Sequence, residues 1–183
     1  MLSTESLKTE HRAIESALEI LEEICKGLEK GETVNSEDIL DLIDFIKGFA
    51  DSCHHAKEEG VLFIEMEKAG LTKDGGPIVV MLEEHTAGRE FVKNMTEASQ
   101  GENIDKDLFI INARGYINLL KQHIEKEDNI LYPMADKLLT GKDKEIVFAF
   151  EKIETEKVGP GKHEEYHQLL EKLSNQYLKP GSY

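Results

Sequence analysis

Apolar side chains recur at helical spacing along most of the chain. Leu7, Ile14, Leu18, Leu21, Ile24 and Leu28 fall three, four or seven residues apart, the repeat of one helix face. The pattern predicts a first helix from about Thr4 to Lys30, with Gly31 as its stop. Asn35 and Ser36 are N-cap types, and Glu37 and Asp38 suit the positive end of the dipole of a second helix, which runs to about Ala69 before Gly70. Gly75-Gly76 interrupts the chain, and Pro77 sits where a first helical turn tolerates proline, opening a third helix to about Ser99. Asp105 is placed to cap a fourth helix that continues through Tyr132. Pro133 has no amide to give the preceding turn, so a kink or an end is expected there, with a last stretch to Leu139. Two shorter helices, about Asp143–Lys157 and Lys162–Leu178, follow on either side of Gly159-Pro160-Gly161. The expectation is an all-α fold: an antiparallel up-down four-helix bundle over residues 1–140 and a C-terminal helical extension over residues 141–183, packed on the same domain.

Composition agrees with helix. The hydrophobic share is 39%, there is no Trp, and only four prolines interrupt a chain rich in Leu, Ile, Glu and Lys. Acidic residues outnumber basic ones 37 to 22, a net charge of −15. That charge repels a phosphate backbone or an anionic bilayer, so neither nucleic acid nor a membrane is an expected partner. The first residues lack a basic segment leading into an apolar one, and no apolar run approaches the length of a membrane span, which points to a cytoplasmic protein. Cys25 and Cys53 have no CxxC partner and read as buried, reduced thiols.

An internal repeat carries the candidate chemistry. The segment His54-His55-Ala56-Lys57-Glu58-Glu59-Gly60-Val61-Leu62-Phe63 returns as His123-Ile124-Glu125-Lys126-Glu127-Asp128-Asn129-Ile130-Leu131-Tyr132, and Glu10-His11 in the first helix is echoed by Glu84-His85 in the third. The first and second helices thus read as one copy of a hairpin and the third and fourth as another, related by a pseudo-two-fold axis. Residues four apart share a helix face, so the His54/Glu58 and His123/Glu127 pairs can each present an imidazole and a carboxylate together. The competing pair His55/Glu59 is not repeated, because Ile124 stands opposite His55. His55 is accordingly read as an outer-face histidine or one behind the ligands, and Glu59 and Asp128 as second choices for ligands. Depth supports the same set: His11 lies about 19 residues before the end of its helix and His54 about 18 after the start of the next, each roughly 28 Å from the connecting loop. The candidate ligands are His11, His54, Glu58, His85, His123 and Glu127. Any one His-x3-Glu pair is commonly a solvated helical pair; two repeated copies with two further histidines at matching depth argue for a two-metal site. Four imidazoles and two carboxylates able to bridge suit iron or manganese better than zinc.

With those residues, the chain resembles the hemerythrin-like, HHE-type cation-binding family. The resemblance covers about Thr9 to Pro133 and rests on Glu10-His11, His54-x3-Glu58-Glu59, Glu84-His85 and His123-x3-Glu127-Asp128. It implies a four-helix bundle holding two iron ions with an oxo or hydroxo bridge, Mn or Zn being possible substitutes, and a small diatomic ligand or peroxide as partner. Oxygen-carrying members place a second histidine on the third helix. Here Met81 and Arg89 occupy the positions four before and four after His85. The four-histidine, two-glutamate set is similar to that of di-iron proteins implicated in iron–sulfur cluster repair, which carry an N-terminal cysteine-bearing domain not found in this sequence. The functional expectation is a non-heme di-iron protein that binds or senses O2 or NO or handles iron; the alternative is a di-iron enzyme acting on peroxide or NO, or a cluster-repair-like activity.

Three further features have more than one reading. His163-Glu164-Glu165-Tyr166-His167 satisfies H-E-x-x-H, but Glu165 puts a charge at a position that zinc proteases keep uncharged. A polar amphipathic helix covering the bundle is preferred, with His163 or His167 as an extra ligand ranked second. Tyr116, two turns before His123, is either a core tyrosine or one that reaches the site. Arg89 is either exposed or a hydrogen-bond donor to a group behind the ligands. A ferritin-type site is disfavoured because Leu82 and Leu120 stand three before His85 and His123, where that site needs glutamate.

Overall fold

The computed structural model describes residues 1–72, 75–101 and 103–178, and among them every regular element is helical. Helix α1 spans Leu2–Glu29. The second rod begins as α2, Ser36–Phe45, passes through π-helical turns at Ile46–His55 and Glu58–Leu62, and ends as α3, Phe63–Lys68. Helix α4 spans Pro77–Ala98. The fourth rod comprises α5, Lys106–Lys126, a π-helical turn at Glu127–Leu131, and α6, Tyr132–Leu138. Helices α7, Asp143–Lys157, and α8, Lys162–Tyr177, follow. The ends lie where the capping chemistry places them. Asn35 accepts the Glu37 amide at 3.0 Å, Asp105 accepts that of Leu108 at 3.1 Å, and Gly31 and Gly70 leave their helices at φ 72° and 102°.

Two expectations need correction. The second helix is not a regular α-helix, since nearly half of it, Ile46–His55 and Glu58–Leu62, is wound with i→i+5 hydrogen bonds. Nor does Pro133 account for the irregularity in the fourth rod. The π turn Glu127–Leu131 has its counterpart at Glu58–Leu62, and the residue matching Pro133 there is Ile64. The turn therefore belongs to the repeated unit, starting in each copy at the repeated glutamate. π turns inside helices commonly mark functional sites.

The core falls into two apolar clusters. One joins Ile14–Leu28 of α1 with Ile39–Ala50, Val92–Ala98, Phe109–Ile124 and, from α8, Tyr166, Leu170 and Leu173. The other gathers Leu7, Leu62, Phe63, Met66, Ile78, Met81, Leu131 and Tyr132 with Ile146 and Phe150 of α7. On each of the four rods the His/Glu repeat falls where the two clusters meet, so a polar layer cuts across an otherwise apolar interior. Helix α7 is tied to the bundle at its start, where Asp143 accepts the amides of Leu2 and Ser3 at 3.0 Å each. Cys25 and Cys53 are buried and unpaired, and burial pushes their thiols up to about 12 and about 11. No helix among the described residues is long and apolar enough to cross a membrane.

Candidate metal centre

The structure brings the side chains of His11, His54, Glu58, His85, His123 and Glu127 into the polar layer, each at most 1% exposed. Their inward atoms converge in pairs that cross the pseudo-two-fold axis. Glu127 Oε2 lies 3.2 Å from His11 Nε2 and 3.3 Å from His123 Nε2. Glu58 Oε2 lies 3.7 Å from His54 Nε2 and 3.5 Å from His85 Nε2. Each carboxylate thus stands between one histidine of each hairpin.

The outward nitrogens are all engaged. His11 Nδ1 donates to Asp128 at 2.8 Å, His54 Nδ1 to Glu10 at 2.9 Å, His85 Nδ1 to Glu59 at 2.7 Å and His123 Nδ1 to Glu84 at 2.9 Å. Fixing the proton on Nδ1 turns the Nε2 lone pair inward, the arrangement that orients and strengthens an imidazole as a ligand. The repeat explains the pairing. The glutamate before the first-copy histidine holds the histidine of the following rod, in both copies, and the acidic residue after each ligand-type glutamate holds the remaining one. Glu59 and Asp128 are therefore not among the inward groups. Their role, and that of Glu10 and Glu84, was signalled by their recurrence in both copies. The repeated lysines complete the pattern: Lys57 donates to Glu10 at 2.6 Å and Lys126 to Glu84. Lys57 also reaches Glu154 of α7 at 2.9 Å, which ties the C-terminal helices to one half of the layer.

Two of the differences between the copies bear on the layer. Tyr132 donates its hydroxyl to Glu58 Oε1 at 2.7 Å and lies 3.3 Å from His11 Nε2, whereas its counterpart is Phe63. Only the sequence pattern [FY] hinted at that residue. His55 is the second difference, and of its two expected positions the outer-face one is excluded. It is 4% exposed, with its ring stacked on His85 at 3.8 Å. His54 and His55 both lie in the π-helical stretch Ile46–His55, whose winding departs from the α-helical period, and both are buried.

The remaining candidates lie outside the layer. His163 and His167 pack around Phe49 at ring distances of 4.9 and 5.9 Å, and His163 approaches Glu10 and Glu154, not the inward atoms. They do not supply an extra group to the layer. Arg89 is partly exposed and bonds Asp51 at 3.0 Å and Glu59 at 3.1 Å, so it steadies the carboxylate behind His85. Tyr116 is buried in the wall of a cavity of about 400 Å³ that opens beside α4 and is also lined by His55, Gly88 and Arg89.

Charge in the layer is unbalanced by protein alone. Burial lowers the basicity of His11, but the adjoining carboxylates of Asp128 and Glu127 and the charge of Glu58 outweigh it and lift it to about 9. His85 rises to about 9 for the same reasons, with Glu58 and Glu59 as its partners. Burial and the His85 charge push His123 down to about 4 and His55 to about 3. Burial and the neighbouring Glu58 charge push the Glu127 carboxyl up to about 8. Burial opposes ionisation of Glu58 too, yet His54 and His85 hold it well below the usual carboxylate range. One proton between His85 Nε2 and His123 Nε2, 3.1 Å apart, satisfies two lone pairs that otherwise repel. Protons therefore occupy the positions where cations would balance two buried carboxylates.

The donor set fits metal ions by an independent observation. Both oxygens of Glu127, Glu58 Oε2, His54 Nε2 and His55 Nε2 are buried with no hydrogen-bond partner among the described residues, a costly condition in a native core. Two ligands about 2.1 Å from one ion and at right angles stand ~3 Å apart, close to the N···O separations across the layer. Ligand-type atoms of His55, Glu58, His85 and His123 lie within 4.8 Å of one another, as do those of His11, His54 and Glu127. In comparison with known families, the hemerythrin HHE cation binding domain matches residues 2–135. No curated protein and no solved structure matches the chain.

Proposed function

The chain belongs to the hemerythrin HHE cation-binding domain family, and from that premise we propose that its buried layer holds two iron ions and that the protein binds or senses O2 or NO through them, or handles iron. The observation that carries the proposal is the set of orphaned inward atoms on Glu58, Glu127 and His54, which protein groups alone leave unsatisfied. His11, His54, His85 and His123 would supply the imidazoles that hold the ions, and Glu58 and Glu127 the carboxylates that offset their charge. Two irons so held supply redox electrons and open coordination positions for a diatomic ligand. Nitrogen and oxygen donors without thiolate suit iron or manganese.

The chain's own groups prepare the centre. Asp128, Glu10, Glu59 and Glu84 lock the four rings with Nδ1 protonated. Glu58 and Glu127 offset the cationic charge in a layer closed to water by an apolar cluster on each side. Tyr132 keeps a proton on its hydroxyl, donated to Glu58 Oε1, inside this water-poor layer. That proton favours a second reading, in which the same centre is an enzyme reducing peroxide or NO, since such chemistry consumes protons.

Metal analysis and optical spectra of the purified protein, taken before and after O2, NO and peroxide, test both. Two irons per chain and a spectrum that changes reversibly with O2 or NO support the binding reading. Multiple turnovers of peroxide or NO support the enzyme. A fully loaded protein with a single ion, or none, overturns the two-metal proposal.

A further inference from the structure

Of the inward histidines, His55 is the one the internal repeat leaves without a counterpart. The matching position holds Ile124, an ordinary core side chain. Yet His55 shares part of the plan of the four repeated histidines, with its carboxylate drawn from its own rod. Its Nδ1 faces a carboxylate, Asp51, at 3.4 Å, and Asp51 is itself held by Arg89 at 3.0 Å. Its Nε2 is buried without a hydrogen-bond partner, and a ring nitrogen of His55 stands within 4.8 Å of ligand-type atoms of Glu58, His85 and His123. A histidine that merely fills the core satisfies its second nitrogen. This one points a free lone pair into the same polar layer as its neighbours.

We infer that His55 is a fifth imidazole ligand, joining His85 and His123 on one ion of the pair. The inference rests on the two-metal reading above and makes the centre unequal, with three imidazoles on that side and two, His11 and His54, on the other. The second break in the repeat falls on the opposite side: Tyr132 brings its hydroxyl to within 3.3 Å of His11, where the first copy has Phe63. The side with fewer imidazoles thus lies beside the hydroxyl. The cavity beside α4 meets the edge of His55 at its buried wall, so a molecule resting in it faces a filled position.

Proton NMR of the fully Co(II)-loaded protein in H2O and D2O reads the ligand number directly. An imidazole bound through Nε2 keeps an exchangeable Nδ1 proton that the paramagnetic ion shifts far outside the ordinary range. Five such signals are expected. His55→Gln should lose one and keep the other four, and Asp51→Asn, which leaves the ring in place, should move that same signal alone. Four signals in the wild-type protein overturn the inference, as do five that persist in His55→Gln. If His55→Gln does not fold, Asp51→Asn decides, and a spectrum in which none of the five moves counts against the fifth ligand. Absence of bound cobalt and of any shifted exchangeable signal instead overturns the two-metal reading itself.

Discussion

An imidazole binds a metal through one nitrogen, so the group on its other nitrogen sets its orientation and basicity. Here each of the four repeated histidines has a carboxylate in that place, supplied by a residue of another rod. Losing one such partner loosens the ring without removing the ligand. Asp128→Asn is expected to weaken metal binding by about 10–100-fold, measured by competition with a chelator, while the helical content stays unchanged. Removing a ligand costs more, and unequally. His54→Ala leaves its half of the layer with His11 as the only imidazole, whereas His55→Ala leaves His85 and His123 in the other. Metal analysis after dialysis should show far greater loss in His54→Ala. Equal loss in the two variants would count against the assignment of inward positions.

At the scale of elements, the repeated hairpins are chemically alike but differently covered. Helix α7 lies over the first copy, where Lys57 is 2% exposed and bridges Glu10 and Glu154. In the second copy Lys126 makes the matching contact to Glu84 with its side chain 35% exposed. Breaking a buried ion pair strands the remaining charge in a low-dielectric interior, while water compensates a surface one. Lys57→Met should therefore destabilise the fold by about 3–5 kcal/mol, and Lys126→Met by about 0–1 kcal/mol. Chemical denaturation of the two variants checks the contrast, and similar losses would show that α7 does not seal its half of the layer.

For the whole molecule, the polar layer links metal, protons and stability. Below pH ~6.5, the ordinary histidine value, the metal-free fold enjoys the full benefit of protonated His11 and His85, and that benefit is lost as pH rises through about 9. Glu127, raised to about 8, acts in the same direction, because its ionisation adds a second buried charge beside Glu58. On the acid side His55 and His123, lowered to about 3 and about 4, favour folding above pH ~6.5 and cost stability as pH falls below it. The melting midpoint of chelator-treated protein is expected to fall between neutral pH and pH 10 while that of the metal-loaded protein changes little. Loading at pH 7 must also expel the protons on His11, His85 and Glu127, three per filled site by these values. Calorimetric titration in buffers of different ionisation enthalpy counts them. Metal uptake without proton release would mean that the cations bind elsewhere, and identical midpoints with and without metal would carry the same message.

Helix periods, caps and the recurrence of H-x-x-K-E-[ED] are local properties, and they were legible residue by residue. Asn35 and Asp105 cap where their side chains can reach a free amide, and the internal repeat singled out the six side chains that meet in the layer, because two copies of one hairpin bury the same face. What local pattern does not encode is the winding of the rods and the partner of each outward nitrogen. Of the two readings of His55, burial against His85 removes the outer-face one, and the i→i+5 winding of its stretch is not announced by any local period. Tyr132 and Phe63 look interchangeable as aromatic residues ending a repeat, and only packing against His11 and Glu58 gives one of them a hydroxyl in the layer. Glu154 and Lys57 are 97 residues apart, and no spacing rule connects them. Periodicity and repetition settled which faces turn inward, whereas side-chain contact across helices, set by the folded packing, decided which atoms meet.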